Sequence, residues 1–221
     1  MRIGIFGGTF APIHNGHIQI MRYIKEELKM VDKMIIVPAG VPTHKQNKDY
    51  LYSNFIAEKR YGLTVASLWE YDMYCNGYSV DAFELKSIGL TQTINLLKHM
   101  KDRYPNDHLY FILGSDSFDT IHEWDDFQDF NKFASLIVME RECEIDIKKY
   151  EYYITKMIDP SLDLCNGFGS SYMFEGKSCK THPIYIIKTP YSDISSTHIR
   201  NSIRDGISIE DMVPHIVNCL L

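Results

Sequence analysis

The feature of this sequence that most restricts its fold is an apolar run that ends in two glycines and leads directly into an amphipathic segment. The run Arg2 to Phe6 is rich in β-branched and aromatic residues and stops at Gly7-Gly8, which predicts a strand and a tight loop. From Asn15 onward, apolar residues recur every three or four positions, as is typical of a helix with one buried face. A second apolar run, Met34 to Val37, completes a βαβ unit with a parallel pair of strands.

The same alternation of strands and helices continues along most of the chain. The sequence predicts helices over residues 55–69 and 91–104 and strands over residues 79–85, 108–113, 134–139 and 184–188. Strands separated by helices indicate an α/β fold with a doubly wound, mainly parallel sheet. A helix that Gly206 ends and a last short helix after Ser208 predict a small C-terminal helical part.

The region between residues 141 and 183 has a weaker pattern. Residues 148–158 predict a helix, whereas residues 161–180 contain three glycines and four serines, which is typical of a loop. We therefore predict a single domain over residues 1–221, with residues 142–182 as a variable, partly mobile insertion within it.

The charge and the cysteines of the chain exclude several classes of protein. The sequence has 23 Lys and Arg against 29 Asp and Glu, a net charge of -6, which argues against general affinity for nucleic acid or an anionic membrane. Five cysteines without a C-x-x-C pair indicate neither a disulfide framework nor a zinc site. The N-terminal apolar run is too short for the roughly 7 to 15 apolar residues of a signal peptide. We therefore predict a cytoplasmic protein, with the nucleus left open.

The loop of residues 7–17, between the first strand and the first helix, is the first candidate for a ligand site. Ligands of open α/β sheets bind at the carboxyl ends of strands. Gly8 lets backbone N–H groups approach an anion, and the helix N-terminus adds a positive partial charge. The loop fits neither a Walker A motif nor G-x-G-x-x-G. His14 and His17 are three residues apart, so both imidazoles can point at the same place.

Two simpler interpretations of this loop stay open. A glycine turn followed by two surface histidines would produce the same letters without any ligand. A histidine pair at this spacing also suits a metal ion, but no third ligand follows at a suggestive spacing. We therefore predict no protein metal site.

A second candidate is the segment I-S-S-T-H-I-R at residues 194–200, where a strand again leads into a helix. Ser195 or Ser196 alone would be interpreted as an ordinary helix N-cap. Arg200 lies one turn into the helix, where its guanidinium can fold back toward the N-terminal amides. That arrangement would complete a site for a chain of phosphates.

Together, G-G-T-F-x-P-x-H-x-G-H and I-S-S-T-x-x-R resemble the paired signatures of the nucleotidyltransferase α/β phosphodiesterase superfamily, specifically its nicotinate/nicotinamide mononucleotide adenylyltransferases. The segment P-A-G-V-P-T-H-K at residues 38–45 and the segment G-S-D-S at residues 114–117, followed by Trp124, resemble further family motifs. The resemblance covers residues 1–141 and 183–221 and is closest to the nicotinate-type enzymes. It implies the Rossmann-like nucleotidyltransferase fold.

The resemblance also implies roles for individual residues. Those on the ATP side would be Gly8, Thr9 and Phe10 in the nucleotide loop, His14 and His17 at the phosphates, and Ser195, Ser196 and Arg200 at the far end of the triphosphate and the adenosine side. His14, His17 and Arg200 are the predicted catalytic residues. The family commonly has an aspartate where this chain has Ala11.

On the mononucleotide side, Lys45 would approach the phosphate and Thr91 or Thr93 would flank the pyridine ring with Trp124. Gly114 and Asp116 would complete this subsite, with Asp116 as a hydrogen-bonding residue. The register of the threonine contact stays open, because the family's S-Y-T-x-x-T-L helix start is altered here to G-L-T-Q-T.

The implied reaction is attack by the phosphate oxygen of nicotinate mononucleotide on the α-phosphorus of ATP, which yields a pyridine dinucleotide and pyrophosphate in NAD biosynthesis. Nicotinamide mononucleotide is an alternative substrate. The expected cofactor is Mg²⁺, bound with ATP through phosphates and water. The expected partners are ATP and the pyridine mononucleotide, without nucleic acid or membrane, and a homo-oligomer is left open.

Other functions stay open at this stage. Another member of the superfamily, such as a pantetheine-phosphate adenylyltransferase or a cytidylyltransferase, would share the first signature. Class I aminoacyl-tRNA synthetases have a related histidine motif, but this chain is short and acidic for one. A nucleotide-binding module that has lost catalysis is the alternative from a different class, and release of pyrophosphate from ATP separates it from an enzyme.

Overall fold

The computed structural model describes residues 1–40, 55–87, 92–141, 144–165, 171–176, 181–189 and 194–221. The strands in these ranges are β1 (Arg2–Gly8), β2 (Lys33–Pro38), β3 (Tyr78–Val80), β4 (His108–Gly114), β5 (Ser135–Glu140), β6 (Leu162–Cys165), β7 (Ser171–Gly176) and β8 (Ile184–Lys188). The α-helices are α1 (Asn15–Arg22), α2 (Ala57–Glu70), α3 (Phe83–Lys86), α4 (Thr93–Arg103), α5 (Ser115–Phe118), α6 (Phe130–Phe133), α7 (Ile147–Tyr153), α8 (Ser196–Arg204) and α9 (His215–Leu220). A π-helical turn continues α1 over Tyr23–Glu27, and another continues α7 over Ile154–Ile158.

The chain divides into two compact units, and β1 contributes to both. The first unit comprises Met1–Gly4 and Gln92–Pro190, with the strand order β1-β4-β5-β8-β7-β6. Strands β4, β5 and β8 are parallel neighbours, whereas β7 and β6 are added in antiparallel fashion. Every residue of β5 is buried, as expected for the centre of a parallel sheet covered on both faces.

The second unit comprises Ile5–Thr91 and Tyr191–Leu221. Its strands are ordered β3-β2-β1, and β2 and β3 are parallel. Five of the six residues of β2 are buried, and α2 buries one face that includes Leu63 and Leu68. The elements β1, α1 and β2 of the first predicted βαβ unit are present, and β1 and β2 are neighbours in the sheet. No helix among the described ranges is long and apolar enough to cross a membrane.

The α/β class and the mainly parallel sheet are confirmed, and α8 and α9 form the predicted C-terminal helical part. Three details were wrong. The strand predicted over residues 79–85 is limited to β3 and is followed by α3. The last helix begins at His215, after Pro214, rather than directly after Ser208. The loop predicted over residues 161–180 instead contains β6 and β7.

The β6 and β7 strands were hidden by the glycine and serine content of their region. In β6, Leu162 is buried and the next two residues are exposed, and β7 joins the sheet by pairing with β8. The backbone N–H and C=O groups of β6 and β7 are therefore satisfied by pairing with neighbouring strands, which the local sequence did not predict. The assignment of residues 142–182 as an insertion within one domain stays a prediction.

Candidate active site

The loop after β1 is held in a compact conformation by its aromatic residue. Phe10 has a φ of 48°, which a bulky residue rarely adopts, and its side chain is buried. The Phe10 ring packs edge-on against Phe6 and His17, with ring centroids 5.6 and 4.9 Å away. A Cβ atom at Gly8 would lie 2.9 Å from the Phe10 ring. Glycine at position 8 therefore lets the ring fold back under the loop.

The two histidines of the loop lie against each other. His14 precedes α1 and is 2% exposed, whereas His17 is partly exposed. Their ring centroids are 3.6 Å apart with an interplanar angle of 30°. The backbone N–H of His14 donates a hydrogen bond to His17 Nδ1 over 3.2 Å. Because an accepting Nδ1 carries no proton, the neutral His17 ring holds its proton on Nε2.

Gly16 makes room for this pair. A Cβ atom at position 16 would lie 3.1 Å from His14 Nδ1 and 3.2 Å from its Cε1. His14 is buried, so its ring has little space to move away from such an atom. The glycine in the H-x-G-H motif therefore has a packing role that the sequence analysis did not assign.

The N-terminus of α8 is tied to the same loop. Ser195 is the N-cap of α8, and its Oγ accepts a hydrogen bond from the His198 backbone N–H. Ser196 Oγ donates to the carbonyl oxygen of Pro12 over 2.9 Å. Ser195 therefore does what an ordinary N-cap does, and its neighbour joins the helix to the loop.

Arg200 makes a second connection between α8 and the loop. Its side chain is 4% exposed. Its Nη1 donates to the Ala11 carbonyl oxygen over 2.9 Å, and its Nη2 donates to Thr197 Oγ1 over 3.1 Å. The guanidinium therefore orders the backbone of the loop, and its contact with a triphosphate stays a prediction.

These contacts bring two helix N-termini, α1 and α8, to one loop in the second unit. Helix N-termini carry positive partial charge and outward backbone N–H groups, which favour phosphate. His17 adds a hydrogen-bond donor at Nε2. The arrangement can therefore bind a chain of phosphates with neutral donors. It does not need a cluster of lysines, which the acidic composition of the chain does not favour.

The sequence analysis missed a buried arginine that donates a hydrogen bond to the backbone of this loop. Arg60 lies in α2 and is 1% exposed. Its Nη1 donates to the carbonyl oxygen of Thr9 over 2.7 Å, its Nη2 to Gly40 over 2.6 Å and its Nε to Phe55 over 2.9 Å. One guanidinium thus joins the ends of three segments. No sequence motif indicated Arg60, because its hydrogen-bond acceptors are backbone atoms.

Glu84 of α3 lies close to this arginine. Its Oε2 accepts a hydrogen bond from the Gly40 backbone N–H over 3.2 Å. Burial raises the pKa of the Glu84 carboxyl to about 7, against the opposing effects of the Gly40 N–H and the Arg60 charge. A Cβ atom at Gly40 would collide with the Glu84 carbonyl oxygen. Gly40, shortly after the end of β2, is therefore packed closely against α3.

Glu84→Gln is expected to remove part of the pH dependence of stability. The folded pKa of about 7 lies above the ordinary 4.5, so protonation of Glu84 favours the folded state. This contribution is complete below about pH 4.5 and is lost as the pH rises through about 7. At about 1.4 kcal/mol for each pKa unit, it is at most about 3 kcal/mol.

Thermal unfolding from about pH 4.5 to about pH 8 measures this difference. The exposed residue Glu58 supplies the matched control variant Glu58→Gln. Wild-type and Glu84→Gln curves that stay parallel across the range would contradict the assignment.

Four of the residues predicted for the mononucleotide side, Thr93, Gly114, Asp116 and Trp124, belong to the first unit. Gly114 ends β4 and is the N-cap of α5, and the exposed Asp116 lies in the first turn of that helix. A Cβ atom at Gly114 would lie 2.5 Å from Asp116 Oδ1. The Asp116 carboxylate therefore folds back over Gly114, and a larger residue at position 114 would make this exposed carboxylate move.

The start of α4 lies beside the Trp124 turn. Thr93 is the first residue of α4, and the preceding Gln92 donates through Nε2 to Asp125 Oδ2 over 2.8 Å. Trp124 packs edge-on against Phe130 with ring centroids 6.2 Å apart. Thr93 and Trp124 thus belong to one neighbourhood. Lys45 and Thr91 lie outside the described residues.

Residues 5–202 match the sequence model of the cytidylyltransferase-like family. The chain belongs to this family. A relative from Maridesulfovibrio salexigens named probable nicotinate-nucleotide adenylyltransferase is 31% identical over 217 residues, which cover 98% of this chain and 93% of that protein. A Clostridium tetani protein with the same name is 30% identical over 210 residues, which cover 95% of this chain and 90% of the relative.

Solved structures resemble this cytidylyltransferase-like chain as well. The Plasmodium falciparum nicotinic acid mononucleotide adenylyltransferase complexed with NaAD has a TM-score of 0.67 and 22% identity, over 98% of this chain and 92% of that one. The same enzyme complexed with APC has a TM-score of 0.65. At this identity the likeness supports the fold. The predicted family resemblance is confirmed.

Proposed function

We propose that this chain is a nicotinate-nucleotide adenylyltransferase, which transfers the adenylyl group of ATP to nicotinate mononucleotide in NAD biosynthesis. The observation that carries the proposal is the His14–His17 stack at a loop to which the N-terminus of α8 is also tied. Relatives at 31% and 30% identity over nearly the whole chain bear the same name. These relatives favour this reaction over the runner-up, pantetheine-phosphate adenylyl transfer.

The reaction needs alignment rather than a protein nucleophile. A phosphate oxygen of the mononucleotide forms a bond to the α-phosphorus of ATP, and the bond from that phosphorus to the bridging oxygen breaks. Pyrophosphate leaves with the electron pair. Transfers of this type depend mainly on positioning and on stabilisation of developing charge.

In this mechanism the second unit binds the triphosphate. His17 donates its Nε2 proton in a hydrogen bond to a phosphate oxygen, and the buried His14 supports its ring from behind. The backbone N–H groups of the loop and the α8 N-terminus add neutral donors. Arg200 and Ser196 keep these donors in register through Ala11 and Pro12.

Mg²⁺ is proposed to enter with ATP. Among the described residues, no group of three or more His, Cys, Asp or Glu side chains is arranged to hold a metal ion. The donors around the loop are backbone amides, imidazole and hydroxyl groups, which fit phosphate oxygens better than a hard cation. Bound to the phosphates, Mg²⁺ would supply positive charge at their oxygens.

The nicotinate form is expected to be the better mononucleotide substrate. A carboxylate only accepts hydrogen bonds, so backbone N–H groups near Trp124 and the start of α4 would satisfy it, whereas the amide NH₂ would face them unpaired. An unpaired buried group costs about 1 to 3 kcal/mol, or roughly 5- to 150-fold in kcat/KM. Gly114, Asp116, Thr93 and Trp124 are the described residues proposed to line this subsite.

A coupled assay that compares the two mononucleotides at equal Mg-ATP tests both proposals. We expect pyrophosphate release to require ATP, Mg²⁺ and a mononucleotide, with nicotinate preferred. Equal kcat/KM values would refute the preference and leave the transfer reaction intact. Binding of ATP without pyrophosphate from either mononucleotide would instead make the chain a nucleotide-binding module.

The cytoplasm is the proposed compartment, because ATP and pyridine mononucleotides are the expected substrates. A homo-oligomer is also an open proposal. Fractionation of cells and the elution volume of the purified chain test these two points separately.

A further inference from the structure

Helix α7 lies in the region 142–182, which resembles none of the family motifs, yet it contacts the segment that carries Asp116 and Trp124. The hydroxyl of Tyr150 donates to Glu140 Oε2 over 2.5 Å in the buried interior. Two exposed contacts accompany it: Lys149 Nζ lies 2.9 Å from Asp119 Oδ2, and the Tyr153 hydroxyl lies 2.5 Å from His122 Nδ1.

Glu140 is the residue through which the buried contact acts. It ends β5 and is 6% exposed. Its Oε1 accepts hydrogen bonds from Ser115 Oγ over 2.9 Å and from the Arg141 backbone N–H over 2.7 Å. With Tyr150 on Oε2, three donors satisfy this buried carboxylate, as burial of a charge requires. The carboxylate is therefore held in one orientation.

Glu140 is connected through Ser115 to the Gly114–Ser117 segment, where the mononucleotide is proposed to bind. Ser115 is the first residue of α5, between Gly114 and Asp116. Because the Asp116 carboxylate is folded over Gly114, a movement of Ser115 would displace the carboxylate directly. The Ser115 hydroxyl, which is bound to Glu140 at the end of a buried central strand, thus constrains the position of the exposed Asp116 side chain.

We propose that Tyr150 and Glu140 are positioning residues that hold the Gly114–Ser117 segment for the pyridine mononucleotide. The inference rests on the proposed function. It assigns to α7 a role in binding of the mononucleotide, so that loss of the Tyr150 hydroxyl acts on one substrate and leaves the other unaffected. The contacts that carry the inference lie within the first unit, whereas the loop of residues 7–17, proposed to bind ATP, belongs to the second.

Tyr150→Phe is the sharpest test, because it removes one oxygen and keeps the ring that packs near Phe118 with centroids 5.8 Å apart. We expect the KM for nicotinate mononucleotide to rise by up to about tenfold, the limit reached if the whole free energy of one lost charge-assisted hydrogen bond is passed on to the mononucleotide site. The KM for ATP and kcat should stay within about twofold. Ser115→Ala breaks the same connection from its other end and carries the same expectation if Tyr150→Phe does not fold.

Lys149→Met is the matched control. It lies next to Tyr150 on α7 and removes the exposed pair with Asp119, whose side chains are 53% and 44% exposed. Such pairs contribute little, so its kinetics should equal those of the wild type. The double variant Tyr150→Phe/Ser115→Ala should be no worse than either single variant, because both break one connection.

Distinct outcomes separate this inference from the proposed function. A wild-type chain that makes no dinucleotide refutes the function, and calorimetric titration with the mononucleotide then still measures whether Tyr150→Phe weakens its binding. A lower melting temperature with unchanged KM, or equal increases in both KM values, would show that Tyr150 only stabilises the fold and would overturn the positioning role.

Discussion

His17→Ala is expected to lower kcat by about 10²- to 10³-fold, the usual cost of losing one donor aimed at developing charge. The reason is the fixed tautomer: the His14 backbone N–H occupies Nδ1, so the proton stays on Nε2. A donor placed in this way acts mostly in the transition state, so the KM for ATP should change much less.

Two further variants sharpen this expectation. Gln19→Ala changes an exposed residue two positions along α1 and should leave kcat unaltered. His17→Gln keeps an amide donor at a similar distance and should recover part of the lost rate. Near-normal kcat in His17→Ala, measured by pyrophosphate release, would reduce His17 to a packing partner of Phe10.

Arg60→Met is expected to lower the free energy of unfolding by about 3 to 5 kcal/mol, because three carbonyl oxygens lose a charged donor and each unsatisfied buried acceptor costs about 1 to 3 kcal/mol. The guanidinium holds the carbonyl oxygens of Thr9, Gly40 and Phe55, at distances of 2.6 to 2.9 Å. Methionine fills a similar volume but leaves these acceptors without that donor. The loop of residues 7–17, which is proposed to bind ATP, should also loosen, because Thr9 lies in it.

Urea unfolding of Arg60→Met, Arg60→Lys and wild type measures the effect. Lysine offers one compact ammonium group instead of a planar fork, so it should recover only part of the loss. Glu58→Ala, an exposed change in the same helix, is the control and should fall within about 0.5 kcal/mol of the wild type. An Arg60→Met chain of near-normal stability would contradict the joint role.

The local sequence was sufficient to predict the strands that consist of apolar runs. The apolar run of β5 is buried at all six positions, and the runs in β2 and β4 end where the pattern predicted, within about one residue. Such runs are informative because a parallel sheet buries both faces of its strands. The histidines, serines and Arg200 stood out for a similar reason, since their spacing around helix starts indicates phosphate chemistry.

Elements that depend on distant partners were missed. Strand β6 and strand β7 exist because each finds a neighbour in the sheet, and the glycines and serines of their region favour a loop when considered alone. Arg60 was missed for the same kind of reason. Its acceptors are backbone oxygens of three separate segments, and contacts with backbone atoms produce no sequence motif.

The sequence by itself determined the α/β class and the family, and it predicted a phosphate site from two motifs, because periodicity and motif spacing are local properties of the chain. Only the tertiary structure decided how the site residues divide their work. It buried His14 behind His17, turned Arg200 onto the Ala11 carbonyl and connected Ser115 to Tyr150 through Glu140. These are contacts between residues far apart along the chain, and their geometry is set by packing and by the need of buried polar groups for partners.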